Sequence, residues 1–390
     1  MPQVKIADFV ATPEQRQLIQ EVLDSGRISE GPKVAAFEQA WANFTSTRYC
    51  VVANSGTSAL MAGLVALRLQ LRLPRGTKAV TSALSFIATS NAIWHAGLEP
   101  VYVDVDPVRF HLLPDQVEEV LARGKPGEFG AIVPVHLMGY PVPMGRLLEI
   151  GERYRIPIVE DAAQAHGSLY DGKPVGGLGR LGIFSFYVSH NVQAGEMGAI
   201  TTNDPEIDSL VRKLKDQGRL YRTEDDLDQW FVHDVIGFNF KALEFQAALA
   251  LPEVAAAPQI IRKRWANVRG LNERLAHLQG QLQLPPLDEG VSYLGYPLVL
   301  RPGASLGRDE LRARLAEKGI ETRPLFRSIP TQQPAYRELA ERYAGRVPNA
   351  ERLGEHGFYL GCHQYLTEGD LDYVAEVLTA LVDRSCAPGL

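Results

Sequence analysis

The chain has 390 residues, 45% apolar and 22% charged, with a formal net charge of −6. That length holds two or three domains around a large core, the composition is that of a soluble globular enzyme, and the acidic balance argues against nucleic acid as the main ligand. Three cysteines, Cys50, Cys362 and Cys386, are too few and too scattered for a disulfide framework or a cysteine-held iron–sulfur cluster, and they fit a reducing cytoplasm.

Taken in chain order, the N-terminal MPQVKIADFV shows no signal-peptide run. The most apolar stretch, SALMAGLVALRLQLRL, carries Arg68 and Arg72. It is too short to span a bilayer and predicts a buried helix, so no membrane partner is expected. KAVTSAL, EPVYVDVD, GAIVPVHL, IPIVEDA and GIFSFYV are short and rich in Val and Ile, and they predict strands. Between them SALMAGLVALRLQL, SFIATSNAIWHAG, LLPDQVEEVLARG and MGRLLEIGERY show helical periodicity. This alternation predicts an α/β fold, a mainly parallel sheet with helices on both faces. The large domain is expected over residues 1–250. A long helical pattern, EVAAAPQIIRKRWANVRGLNERLAHLQ, then leads into a smaller α+β domain over 251–390.

Ligands of such sheets bind beyond the carboxyl ends of the strands. In ANSGTSALMAGL, Ser55, Gly56 and Thr57 open a helix whose first N–H groups suit an anion; simple N-capping is the alternative. Phe86 follows a strand and is either a core aromatic or a flat face for a ring. In VEDAAQAHG, Asp161 ends a strand, where it pairs with a protonated ring nitrogen or caps a helix, and Gln164 lies one turn on. GGLGRLG matches G-x-G-x-x-G at Gly177, Gly179 and Gly182, but it precedes a strand and opens no helix, so a flexible loop is expected rather than a dinucleotide site. Arg323 and Arg327, in ETRPLFRSIP, are either contacts for a diphosphate or carboxylate, or plain surface charge. No metal-ligating set is expected.

Together with ISEGPKVAAFEQAWANF, PVHLMGYP, FSFYVSHNVQAGEMGAI and GFNFKALEFQAAL, these stretches resemble the DegT-like sugar-nucleotide aminotransferases of the pyridoxal-phosphate (PLP) fold type I, the aspartate-aminotransferase-like fold. The resemblance covers nearly the whole chain. It implies a homodimer with shared active sites. Gly56, Thr57 and Ser185 would hold the PLP phosphate, Phe86 would stack on the ring, and Asp161 would pair with its nitrogen. Gln164 would lie by its hydroxyl, and Asn239 would reach the partner subunit's phosphate.

The family motif has a lysine where this chain has His190. Imidazole cannot make lysine's covalent link, because a stable imine needs a primary amine. It can move protons, with an unperturbed pKa near 6.5 that suits base work at neutral pH. The cofactor is therefore expected to be non-covalent, as PLP or its amine form, PMP. The resemblance narrows to the histidine-bearing subset that dehydrates nucleotide-linked 4-keto-6-deoxysugars at C3, of the GDP-4-keto-6-deoxymannose 3-dehydratase type. His363, in a GCHQ stretch, resembles that subset's C-terminal motif and is a further substrate candidate. Glutamate is the expected amino donor. Departures are Met197 for a glycine, Asn191 for a second histidine, and Lys241 after GFNF. A nucleotide-sugar aminotransferase and a non-catalytic PLP-binding regulator are the alternatives.

Overall fold

Short Val, Ile and Ala runs, bounded by Gly, Pro and Asp, set the strands of the large sheet. In the computed structural model, which describes residues 4–220, 231–304 and 306–383, α1 (Pro13–Ser25) and α2 (Pro32–Phe44) come first. They lead to β1 (Tyr49–Ala53), α3 (Gly56–Gln70), β2 (Lys78–Ser82), α4 (Ala88–His95) and β3 (Glu99–Val103). Next come α5 (Pro114–Ala122), β4 (Phe129–Val133), α6 (Met144–Tyr154) and β5 (Val159–Asp161). A small hairpin, β6 (Leu169–Tyr170) and β7 (Lys173–Pro174), precedes β8 (Leu181–Ser185), β9 (Gly198–Thr202), α7 (Pro205–Lys215) and the long α8 (Glu244–Leu275). The rest supplies β10 (Leu282–Gln283), β11 (Tyr296–Leu300), α9 (Arg308–Glu317) and β12 (Thr322–Pro324). It ends with α10 (Arg337–Tyr343), α11 (Pro348–His356), β13 (Gly357–Leu360) and α12 (Glu368–Val382). Cys386 lies outside the described residues.

The strand runs β1-β9-β8-β5 and β3-β2-β4 join through the parallel bridges Ile132↔Ile158 and Val135↔Asp161, giving the order β1-β9-β8-β5-β4-β2-β3. Only β9 runs against its neighbours, with Ser185 opposite Gly198 on one side and Ala53 opposite Gly198 on the other. Successive strand residues serve opposite faces. Ala79, Ala131 and Val133 pack with Leu60, Leu64 and Leu67 of α3, while Val80 and Ile132 pack with Leu147 and Ile150 of α6. Burial on both faces is why these strands read as continuous apolar runs. β1 is not recognisable from sequence, since YCVVA is short and carries no turn signal of its own.

The second sheet is antiparallel, β10-β11-β13-β12, and packs α9 and α12 through Leu298, Leu315 and Leu378. The N-terminus joins it: Val4 bridges Ile320, and Glu321 N donates to Val4 O at 2.8 Å. The division expected at residue 250 falls inside α8. This helix holds α1 through Gln15 Nε2 on Leu249 O (2.7 Å) and α12 through Arg274 Nε on Asp372 Oδ1 (2.7 Å).

The loop GGLGRLG is pinned where flexibility was expected. The fully buried carboxylate of Glu160 accepts from Gly176 N (2.8 Å), Leu178 N (2.7 Å) and Gly179 N (2.6 Å). It also meets His136 Nε2 at 3.1 Å. His136 Nδ1 accepts from Val142 N at 3.0 Å, so Nε2 carries the proton and donates to Glu160. Glu160→Leu would orphan these buried donors, each at about 1–3 kcal/mol. Urea unfolding should show a loss of several kcal/mol, and Glu160→Gln, which keeps an acceptor oxygen, should lose less. Equal stability of Glu160→Leu and wild type would show that the carboxylate does not hold the loop.

Candidate active site

β1 ends at Ala53, and the chain turns into α3 with Ser55 as N-cap, its Oγ accepting from Ser58 N at 3.1 Å. The N–H groups of the first turn have no intrahelical acceptor and carry the positive end of the helix dipole. This turn lies against the end of β8: a Cβ on Gly56 would stand 2.5 Å from the Ser185 Cβ. Only glycine permits that approach, and it brings the α3 N-terminus and the Ser185 hydroxyl into one cradle.

A cavity of about 500 Å³ opens there. Gly56, Thr57, Phe86, Asp161, Gln164, Ser185, His190 and Arg323 all line it, although they come from distant parts of the chain. Phe86 is 55% exposed, which rules out the core-aromatic alternative, and its ring stands 6.0 Å from that of Phe326. No helix follows Asp161, so it caps none. Its Oδ2 accepts from Thr89 Oγ1 at 2.7 Å and its Oδ1 from Ala163 N at 3.2 Å. Burial pushes its carboxyl above the usual range, against the pull of the Thr89 hydroxyl. A cationic partner in the cavity would relieve that burial cost. Gln164 is fixed by Met138 N, which donates to its Oε1 at 2.9 Å.

His190 sits in the loop after β8, and its backbone N–H donates to Tyr187 O at 2.8 Å. Its ring is buried, and Nδ1 has no hydrogen-bond partner. The imidazole does not keep the ordinary value expected from sequence: burial pushes its pKa down to about 4, with Arg264 and Arg323 acting the same way. The ring is therefore neutral at pH 7, with one ring N–H and an Nδ1 that has no hydrogen-bond partner.

Three candidates do not line the cavity. Asn239 is exposed on the segment before α8, and Arg327 is exposed beyond β12. His363 is buried away from it, with both ring nitrogens unpartnered and its pKa pushed by burial to about 4. The cavity also gains residues that sequence reasoning misses. Thr89 carried a usable signal, one turn after Phe86 at a helix start. Tyr187 and Glu196 stand inside the FSFYVSHNVQAGEMGAI stretch, whereas Tyr359 carried no signal, because it reads as an ordinary strand residue of β13.

A profile for the DegT/DnrJ/EryC1/StrS aminotransferase family matches residues 10–379. The chain belongs to this family. One relative is 32% identical over 97% of this chain and 98% of its own length, the GDP-perosamine synthase of Caulobacter vibrioides. Another is 28% identical over 98% and 87%, the dTDP-4-dehydro-2,6-dideoxy-D-glucose 3-dehydratase of Saccharopolyspora spinosa. Among solved structures, Escherichia coli GDP-4-keto-6-deoxy-D-mannose-3-dehydratase with bound hydrated PLP superposes with a TM-score of 0.87, covering 97% of this chain and 100% of that one at 24% identity. These comparisons bear out the PLP fold-type-I architecture. No helix of the described residues is long and apolar enough to cross a membrane.

The residues present fit a flat pyridine bearing a phosphate. The cradle of α3 and Ser185 suits the anion, the Phe86 face suits the ring, and buried Asp161 suits a protonated ring nitrogen. The state of His190 can be tested without any ligand. In the unfolded chain it protonates near 6.5, and in the fold near 4. Between those values the unfolded chain binds more protons, so His190 lowers stability as pH falls through that window and is silent above it. His190→Asn should therefore gain stability relative to wild type as pH drops from 6.5 to 4, by up to roughly 3 kcal/mol in urea unfolding. Other titrating groups are common to both proteins and cancel. A difference that does not change with pH would show that burial does not hold the ring neutral.

Proposed function

We propose that this chain is a PLP/PMP-dependent lyase that removes the C3 hydroxyl of a nucleotide-linked 4-keto-6-deoxysugar. The observation that carries the reading is His190: a neutral, buried imidazole lining the cavity at the position where the family motif has lysine. Without a primary amine there, the cofactor is held non-covalently. Gly56, Thr57 and Ser185 take its phosphate, Phe86 lies against its ring, Asp161 pairs with its nitrogen and Gln164 stands by its hydroxyl. When bound, the cofactor supplies an amine that holds the sugar at its ketone and a ring that withdraws electrons.

His190 accepts a proton on its ring and returns it to the departing C3 hydroxyl, so no net proton is consumed. The overall balance takes one keto sugar and one glutamate to one 3,6-dideoxy-4-keto sugar, one 2-oxoglutarate and one ammonia; glutamate supplies the reducing equivalents. Arg323, on the cavity wall with Tyr359 and 3.7 Å from the Glu321 carboxylate, offers the charge for a diphosphate or a glutamate carboxylate. In a homodimer, the exposed Asn239 would serve the partner's phosphate. The 3-dehydratase from Saccharopolyspora spinosa supports this reading, and the GDP-perosamine synthase at 32% identity supports transamination instead.

Mass spectrometry separates the two. With PLP, glutamate and a panel of nucleotide-linked 4-keto-6-deoxysugars, the expected product is lighter by one oxygen atom and appears with ammonia and 2-oxoglutarate. A 4-amino sugar as sole product would establish the aminotransferase. PLP binding without turnover of any sugar would establish the regulator.

Two variants test the histidine itself. His190→Asn should still bind PLP but turn over about a hundredfold to ten-thousandfold more slowly, the usual cost of losing a general base. His190→Lys should trap PLP covalently, visible after borohydride reduction and peptide mapping, and should lose dehydration. Wild-type rates in His190→Asn, or PLP fixed to another lysine in the wild type, would overturn the assignment.

A further inference from the structure

Besides Glu244 near its start, α8 buries two ionisable side chains of opposite kind, Arg264 and Glu253, whose carboxyl burial pushes up to about 7. Eleven positions is about three helical turns, so both project from the same face. Ala257, Ile260, Val268 and Leu271, also buried on this helix, are apolar. Burying a charge is costly unless it is bonded. No ion pair joins the two among the described residues. Each side chain grips the loop after β8 instead.

Glu253 Oε2 accepts from Gln193 N at 2.8 Å. Arg264 Nη2 donates to His190 O at 3.4 Å, and its Nη1 to Leu294 O at 2.9 Å. The polarity matches: the carboxyl group takes the N–H of residue 193 and the guanidinium the C=O of residue 190, at the two ends of the 190–193 segment of that loop. Leu294 lines the cavity, so Arg264 also ties this loop to a second lining segment. Between the two grips, Val192 N donates to His166 Nδ1 (3.3 Å) and Asn191 Nδ2 to Ser292 Oγ (2.5 Å).

We propose that Glu253 and Arg264 are positioning residues for His190, holding the 190–193 segment of its loop at both ends so that the imidazole stays in the cavity without a covalent tether. This rests on the reading of His190 as the residue that moves the proton.

Conservative variants test it. Lysine at 264 keeps the charge but lacks the planar fork that reaches both carbonyls. Arg264→Lys should lower kcat about tenfold, with the KM for the keto sugar and the affinity for PLP within about twofold of wild type. Glu253→Met, which loses the acceptor, should behave the same way, and Glu253→Gln, which keeps one, should restore kcat. In a His190→Asn background, Arg264→Lys should cost nothing further, because it acts through the missing ring. A readout without turnover is the NMR spectrum of isotope-labelled histidine, in which the His190 ring signals should move in Arg264→Lys.

Additive losses in the double variant, unmoved His190 signals, or a parallel fall of kcat and PLP affinity would overturn the proposal. If Glu253→Met does not fold, Arg264→Lys and the NMR signals still decide. If His190→Asn keeps wild-type turnover, the functional reading fails, while the NMR comparison still decides whether Arg264 positions the ring.

Discussion

A carboxylate with no access to water ties the middle of the large sheet together. Glu160 stands next to Asp161 at the end of β5, and its four hydrogen bonds reach two other parts of the chain. His136, beyond β4, is held by one of them, and the 176–179 turn that feeds β8 by the other three. An ionised carboxylate buried without such donors would cost more than most domains can spare. β5 is thereby tied to the segment after β4 and to the turn before β8. Asp161 and Ser185, the last residues of the neighbouring parallel strands β5 and β8, both line the cavity. Gly56 completes it from a third direction, because a bare Cα lets the α3 N-terminus close on Ser185.

The cavity divides its electrostatic roles by position. The α3 N-terminus offers backbone N–H groups and a helix dipole, which suit a permanent anion. Asp161 offers a carboxylate whose burial is unfavourable until a cation faces it. His190 lies between these extremes. Burial strips its charge, and the nearby guanidiniums of Arg264 and Arg323 reinforce that. A lysine at this place could anchor a cofactor by a bond. A histidine cannot, so its position depends on how well its loop is braced. The bracing comes from α8, a helix that links both sheets of the molecule.

Much of this site is legible in the amino-acid sequence. Gly56, Thr57, Asp161, Ser185 and His190 stand in short motifs at strand ends, where chemistry and spacing coincide, and all five line the cavity. Arg323 is legible only as a cation with two meanings, and the fold chose the cavity for Arg323 and the surface for Arg327. GGLGRLG misleads, because glycine content alone does not reveal the buried acceptor of its N–H groups. The ordinary pKa expected of His190 also fails, since a histidine's neighbours in sequence say little about its burial.

The sequence by itself determined the alternation of strand and helix, the family, and the replacement of lysine by histidine. These are local properties: periodicity, composition and the identity of one side chain in a motif. Only the tertiary structure decided that β9 runs antiparallel, that Tyr359 and Leu294 form a wall of the cavity, and that Glu253 and Arg264 meet the His190 loop. These depend on contacts between residues tens to hundreds of positions apart. The physical reason is that burial and hydrogen-bond pairing are settled by the packing of whole elements, and the pKa of a buried ring or the partner of a buried charge follows from that packing.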